Sequence, residues 1–501
     1  MSRRFFIGGA VLAGAFGGCR MFEAPLGSCA GGKPNLRMGV ISDVHLLSRI
    51  AWPLEFCELR GDEEIFRQTL RYFRDQNVDA VMITGDIADY GMVDELELAM
   101  EVWREVFPDD RAPDGHKVER LWVSGNHEIN GHLYDDYAKL KFPDQAECAR
   151  HCLRADWVRN WSRITGEPYS HFFAKEVKGY RFLSTHWGFD AESANWTNYG
   201  KGGNYGEELK AYLEANGSKL DPSRPFFYFQ HPHLKGTCFA PWCWGADTGV
   251  TTEVLRKFPN AVSFSGHAHY PITDERAIWQ QEFTAVALPS LKFLESPCQA
   301  HGDFGYENSY RNWAPKEKTG ESQKTTNAVR QGTSPQGTLV DVYDDRIVVS
   351  RREFPSAVPV GADWVIPLAS ERPFAYAARA KKSAPPEFAA DAAVTVRPVR
   401  RRTRGDHPVE KDCVELTFPP ARAGGSRVFE YEIAAIGSDG VKKAFNLLAF
   451  GYNRPPDHAE TKAPTVMSIS LDRLPARPIR FEVVPKDCWW NRGKAIVGSF
   501  A

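Results

Sequence analysis

The chain has 501 residues, of which 62 are basic and 64 acidic, for a formal net charge of −2. That length exceeds one ordinary domain and predicts two or more, while the charge balance excludes a global electrostatic commitment to nucleic acid. With 43% apolar and 12% aromatic residues, the composition excludes a disordered or fibrous protein.

Met1-Ser2-Arg3-Arg4-Phe5-Phe6 precedes an acid-free, moderately apolar stretch that runs to Cys19. Two arginines followed by such a stretch read as an export signal. Ser-Arg-Arg-x-Phe resembles the bacterial twin-arginine signal, and Phe16-Gly17-Gly18-Cys19 resembles a lipoprotein cleavage site. Residues 1–30 are thus expected to be signal and tether, which implies export to the periplasm or cell envelope, with lipid anchorage at Cys19 as an option. The apolar stretch is too short and glycine-rich for a comfortable bilayer span. No CxxC pair occurs among the ten cysteines, so a structural zinc ribbon is unsupported. Cys238 and Cys243 are spaced for either a small disulfide loop or buried free thiols.

Leu36 to Asp43 reads as a buried strand. Asp62 to Gln76 has helical spacing, with Ile65, Phe66, Leu70 and Phe73 as its apolar face. Asp79–Asp86 is the next strand, Glu95–Val106 a helix, and Arg120–Gly125 a third strand. This alternation predicts βαβ units with largely parallel pairing. The stretch from Glu128 to about Lys175 is aromatic and irregular. Strands resume at Tyr180–Thr185, Phe226–Gln230, Ala261–Ser265 and Phe283–Leu288. Cys298 to Gln336 reads as a long surface loop, and two runs split by Asp344-Asp345 read as a closing hairpin. We expect a catalytic domain over 34–355, a linker over 356–383 and a β-sandwich over 384–501, where short strands alternate with turns and no catalytic cluster is visible.

Five short blocks carry the chemistry: Asp43-Val44-His45, Gly85-Asp86, Gly125-Asn126-His127-Glu128, Gln230-His231-Pro232-His233 and Gly266-His267-Ala268-His269. Each falls at the end of a predicted strand, where open α/β sheets place their ligand sites. Asp43, His45, Asp86, Asn126, His231, His267 and His269 form a hard-to-borderline N/O donor set suited to divalent Mn, Fe or Zn. One carboxylate shared between two such ions gives a two-metal hydrolytic centre, with the ions about 3.5–4 Å apart.

In this order the blocks resemble the signature of the calcineurin-like metallophosphoesterase superfamily, D-x-H, G-D, G-N-H-[E/D], H, G-H-x-H, over roughly residues 36–290. The resemblance implies an α/β fold, a four-layer β-sandwich flanked by helices with the site at its strand ends. It implies one metal on Asp43, His45, Asp86 and His269, and a second on Asp86, Asn126, His231 and His267, with Asp86 bridging. His127 is then no ligand but a catalytic residue that assists the leaving oxygen. The implied reaction is phosphoester hydrolysis by a metal-bridging hydroxide, with a phosphodiester as leading substrate. A phosphomonoesterase or nucleotide pyrophosphohydrolase is the alternative, and an envelope binding protein with a vestigial site a more remote one. Purple acid phosphatases resemble D-x-G at the first block and carry a Tyr one position earlier than Tyr90, so a Tyr-ligated iron site is not expected.

His186 and His132 are candidates for substrate contact, and Glu128 is expected to orient its loop. The C-terminal region resembles a fibronectin-type-III-like module, with glycan or lipid headgroups as partners. Trp489 and Trp490 are its candidate glycan contacts. The run Arg397, Arg400, Arg401, Arg402 and Arg404 reads as a solvated strand edge.

Overall fold

The computed structural model describes residues 32–50, 61–130, 145–187, 205–240, 243, 245–295, 299–301, 303–304, 307–309, 334–369, 371–404 and 407–501. In chain order the first nine strands are β1 (Leu36–Ile41), β2 (Ala80–Ile83), β3 (Glu119–Trp122), β4 (Phe172–Val177), β5 (Tyr180–Thr185), β6 (Phe226–Phe229), β7 (Ala261–Ser265), β8 (Ile278–Gln280) and β9 (Thr284–Ala287). Two short strands, β10 (Gln299–His301) and β11 (Glu307–Ser309), precede β12 (Gln336–Val342), β13 (Arg346–Glu353), β14 (Val358–Pro359) and β15 (Trp364–Pro367). The C-terminal strands are β16 (Thr395–Arg402), β17 (Glu410–Phe418), β18 (Val428–Ile436), β19 (Lys442–Leu448), β20 (Thr465–Ser470), β21 (Ile479–Asp487) and β22 (Ile496–Phe500).

One sheet runs β14-β13-β12-β1-β2-β3, with β15 also on β13, and a second runs β4-β5-β6-β7-β9-β8. Pairing is parallel through β1-β2-β3 and through β5-β6-β7-β9. The period-two alternation of a strand sorts the first sheet's side chains into two cores. Met38, Val40, Met82 and Leu121 share a cluster with Phe182, Phe227, Phe229 and Phe264 of the second sheet. Ile41, Val81, Ile83 and Trp122 face the opposite way, onto Phe66, Phe73 and Trp103 of helices Gly61–Asp75 and Val93–Val106. Leu209, Leu213 and Leu255 of helices Tyr205–Asn216 and Val250–Leu255 join the second sheet. Helix, sheet, sheet and helix make four layers, and both parallel sets run their C-terminal ends toward one crevice.

Two expectations are corrected. The stretch 356–383 is no linker at its start, because β14 and β15 extend the first sheet, and it ends in a helix over Tyr376–Lys382. The presumed surface loop after Cys298 contributes β10 and β11, which extend a C-terminal sheet in the order β10-β11-β19-β18-β21-β22. Local hydrophobic periodicity reveals neither, since β14, β15, β10 and β11 are only two to four residues long, and β11 finds its partner β19 far along the chain.

The C-terminal region is all-β apart from a short helix, and its second sheet is β16-β17-β20. It is seated firmly on the catalytic domain. The Arg427 guanidinium donates to the carbonyls of Val360, Tyr452 and Arg454, and Arg276 lies 4.7 Å from the Phe429 ring centre. Trp489 packs on Tyr376 at 5.2 Å and Trp490 on Phe429 at 5.9 Å. Arg397 and Arg401 pair with Glu415 and Arg400 with Asp412, so three of the run's five arginines are paired across the strands. The described cysteines 152, 238, 243, 413 and 488 are free thiols. Among the described residues no helix is long and apolar enough to cross a membrane.

Candidate metal centre

The tips of β1, β2, β3, β6 and β7 deliver the seven candidate donors. Past β1 and β2 the chains stay zipped, with Asp43 N–H donating to Gly85 O at 3.0 Å and His45 N–H to Asp86 O at 2.9 Å. Five of the seven take left-handed backbone: Asp43 (φ 53°), His45 (50°), Asp86 (51°), His267 (77°) and His269 (54°). Each such non-glycine residue costs about 1 kcal/mol or more. Their concentration at one crevice shows that the surrounding packing dictates where these side chains point. Glycine is required beside them: a Cβ at Gly125 would collide with the Asp86 carboxylate, and one at Gly266 with Ser42 and Asp43.

The side chains converge as two groups, Asp43–His45–Asp86–His269 and Asp86–His231–His267, and a third cluster, His45–Asp89–His127, adjoins the first; the donor atoms of each lie within 4.8 Å of one another. Asp86 is common to the first two. In the first, His269 Nε2 lies 2.9 Å from Asp43 Oδ1 and 3.0 Å from His45 Nε2. In the second, His231 Nε2 lies 3.1 Å from Asp86 Oδ2, 3.0 Å from Asn126 Oδ1 and 3.2 Å from His267 Nδ1. All seven are buried.

Hydrogen bonds at the far side of two rings settle what faces inward. His231 Nδ1 sits 2.8 Å from Thr84 O, and His45 Nδ1 2.9 Å from Asp89 Oδ1. Each therefore carries a proton on Nδ1 and turns Nε2 into the centre. His231 Nε2 faces an amide oxygen and a carboxylate oxygen, so without metal it holds a proton there, the place a divalent cation would take. The donor set fits two divalent cations held through a common aspartate.

Electrostatics agree. Burial, the largest influence on Asp43 and Asp86, opposes ionisation, but His269 and His231 hold Asp43, and His231 and His127 hold Asp86, well below the usual carboxylate range. Burial also opposes charge on His231, yet Asp86 beside it pushes that imidazole up to about 9. His45 goes the other way, to about 4, through burial and the neighbouring His127. The crevice is a preformed receptor for positive charge.

His127 stands at the mouth, its side chain 24% exposed. Its backbone N–H donates to Asp86 Oδ1 at 2.9 Å, and its Nδ1 lies 2.6 Å from the Asp89 carbonyl. Glu128 orients the loop as expected, its carboxylate accepting the N–H groups of Asp86, Ala88 and Gly125. His233 turns aside, its Nδ1 2.9 Å from Ser265 Oγ. His186 does not reach a substrate position. It is 2% exposed, packs on Trp161 and Tyr169, and accepts the Ser124 N–H just before Asn126. Its ring props up the turn instead. His132 lies outside the described residues.

Several functional neighbours escaped the sequence reading. Asp89 links His45 to Lys292, whose ammonium also reaches Asp62 and the His45 carbonyl. Lys292 and Phe293 ride on a strap after β9 that is tied to the first block by Ser290 Oγ to Asp43 O and Leu291 N–H to Ser42 O. Phe293 packs on His45 and His269, and Trp187 on His231 and His267. The Gly-Asp-x-x-Asp spacing was the one available signal for Asp89. None existed for Lys292, which is 203 residues away from it.

A four-layer sandwich whose strand ends gather a dinuclear Asp/His centre around one shared carboxylate defines a metal-dependent phosphoester hydrolase. Residues 36–271 match the family model of the calcineurin-like phosphoesterases. No curated protein matches the chain. Among solved structures, a dimetal phosphatase from Danio rerio is 16% identical, covering 67% of this chain and 100% of its own, with a TM-score of 0.38. A purple acid phosphatase from yellow lupin (Lupinus luteus) seeds is 13% identical, covering 67% of this chain and 55% of its own, at 0.36. Vps29 complexed with zinc from Entamoeba histolytica is 10% identical, covering 67% and 100%, at 0.26.

Proposed function

We propose that the chain is an exported phosphodiesterase acting at this dinuclear centre. The observation that carries the reading is the shared Asp86, which belongs to both donor groups. Asp43, His45, Asp86 and His269 would hold one cation, and Asp86, Asn126, His231 and His267 the other. When bound, the two cations neutralise phosphoryl oxygens and make water a nucleophile at neutral pH. The chain's own part is positional. Asp89 and the Thr84 carbonyl lock His45 and His231 in the tautomer that presents Nε2. His127, fixed through Nδ1 on the Asp89 carbonyl, brings a proton to the leaving oxygen from its other nitrogen. Its greater exposure than the donors supports a role toward the substrate.

Export rests on the Ser2-Arg3-Arg4 segment and the apolar stretch after it. A fibronectin-III-like reading of the C-terminal region is supported by its strand order, with β16-β17-β20 sharing one core with β19-β18-β21-β22.

The test is hydrolysis of bis-p-nitrophenyl phosphate and p-nitrophenyl phosphate by metal-stripped protein reloaded with Mn, Fe or Zn. Restored diester cleavage exceeding monoester cleavage is expected. The reverse preference would make it a phosphatase. Silence on both esters, with metal bound, would return the reading to a binding protein with a vestigial site.

A further inference from the structure

Each donor group is overlooked by one aromatic ring. Trp187 lies two residues past the end of β5, its ring centre 5.8 Å from that of His231 and 5.6 Å from that of His267. Its backbone N–H is pinned to Ser124 O at 3.1 Å, in the turn that carries Asn126. Phe293 lies 5.6 Å from His45 and 4.5 Å from His269, and its N–H donates to Ser290 Oγ at 3.1 Å on the strap. Both backbones are thus anchored to the loops that hold the centre.

Packing holds Trp187 against the helix-side core, yet neither ring is sealed in. Phe227, Phe229 and Phe264 fill the core at 0% exposure, whereas Trp187 and Phe293 are half-buried beside the buried donors. The nearby Lys292 ammonium is engaged by Asp62, Asp89 and the His45 carbonyl. The two rings flank the two donor groups, so the ester arms of a phosphoryl group held at the centre have an aromatic face beside them on either side. Aromatic faces reward a planar ring there and give little to a hydroxylated alkyl arm.

We propose that Trp187 and Phe293 are specificity-determining walls, and that the substrate is a phosphoester bearing an aryl or nucleobase ring that stacks on them, Trp187 chiefly. This rests on the phosphoesterase reading of the centre and names its substrate class.

The test compares wild type with Trp187→Ala, Phe293→Ala and the conservative Trp187→Phe, reloaded with the working metal. Substrates are thymidine 5′-p-nitrophenyl phosphate, bis-p-nitrophenyl phosphate and an alkyl diester without a cationic group, glycerophosphoglycerol, since a quaternary ammonium would itself bind an aromatic face. Trp187→Ala should lose about tenfold in kcat/KM on the ring-bearing esters, mainly through KM, with less than about twofold change on the alkyl diester. Trp187→Phe should recover most of the loss, and metal content should be unchanged. Greater loss on the thymidine ester than on the aryl ester would identify a nucleobase as the stacked ring, and equal loss an aryl group. Equal loss on all three esters, no loss on any, or lost metal would overturn the proposal. Equilibrium binding of phenylphosphonate against methylphosphonate separates the two readings. A wild type without hydrolysis that still prefers the phenyl compound through Trp187 would sink the hydrolase and keep the wall. Active protein with no phenyl preference would do the opposite.

Discussion

Asp89 Oδ1 lies 2.9 Å from His45 Nδ1, on the side of the imidazole away from the centre. The carboxylate fixes ring orientation and tautomer, and its other oxygen is held by Lys292 at 3.0 Å. Metal-ligating histidines depend on such partners for basicity and aim. Asp89→Asn should therefore weaken metal retention about 10–100-fold, with the loss confined to one of two cations. Metal content during chelator titration measures this. Two equivalents retained at wild-type chelator concentrations would remove Asp89 from the supporting role.

Asp86 is the one side chain common to both donor groups. Asp86→Ala should release both cations and reduce hydrolysis to background. It also strips the acceptor from the His127 N–H, now 2.9 Å from Asp86 Oδ1, so the adjacent turn should loosen. Loss of a single equivalent, read by elemental analysis, would contradict the bridging position.

His127→Ala separates chemistry from binding. The ring touches no donor atom through Nδ1, which faces the Asp89 carbonyl at 2.6 Å. Metal content should stay at wild type while kcat falls roughly 10²–10⁴-fold. The fall should be steeper for alkoxide than for p-nitrophenolate leaving groups, because the poorer leaving group needs the proton more. A uniform loss across leaving groups would assign His127 to charge stabilisation rather than proton delivery.

Glu128 has no donor role, yet three backbone N–H groups from two loops meet on its carboxylate, with Ala88 N–H at 2.7 Å and Asp86 N–H at 3.1 Å. Its burial and the nearby Asp86 raise it to about 7. Glu128→Gln puts an amide donor against backbone donors whichever way the side chain is turned. The metal-free protein should lose about 1–3 kcal/mol, measured by denaturant unfolding. An unchanged midpoint would mean that the loops hold themselves.

Much of this is legible in the sequence. The short apolar runs Leu36–Ile41, Ala80–Ile83 and Ala261–Ser265 are strands, and the D-x-H, G-D, G-N-H-E and G-H-x-H blocks do sit at strand tips. Those signals are local: a short apolar run, a glycine where backbone must approach, polar residues just past the run. What stayed hidden is non-local. Strand Phe172–Val177 was obscured by its half-exposed, mixed composition, Glu176 and Lys175 included. Lys292 and Phe293 reach the centre only because β9 lies beside β7. His186 lies at a strand end like the donors, and only packing against Trp161 tells its buried role apart.

Trp489 and Trp490 illustrate the same gap between residue type and environment. Adjacent tryptophans near a chain's end suggest a sugar-binding surface, but here both join the catalytic core as partly buried members. Trp489 is clasped between Tyr376 at 5.2 Å and the Arg379 guanidinium at 5.2 Å, and Lys486 approaches the Trp490 ring at 5.1 Å. Arg379 is itself paired with Glu275 of the catalytic domain, so removing the indole exposes an ion pair as well as apolar area. Each alanine substitution should cost about 2 kcal/mol, roughly half the value for a fully buried tryptophan. The loss should appear as earlier unfolding of the C-terminal sheets, followed by limited proteolysis. Retention on immobilised glycans should be the same in wild type and the double variant. A glycan-specific loss with unchanged unfolding would restore the sugar-binding role and make the docking contacts incidental.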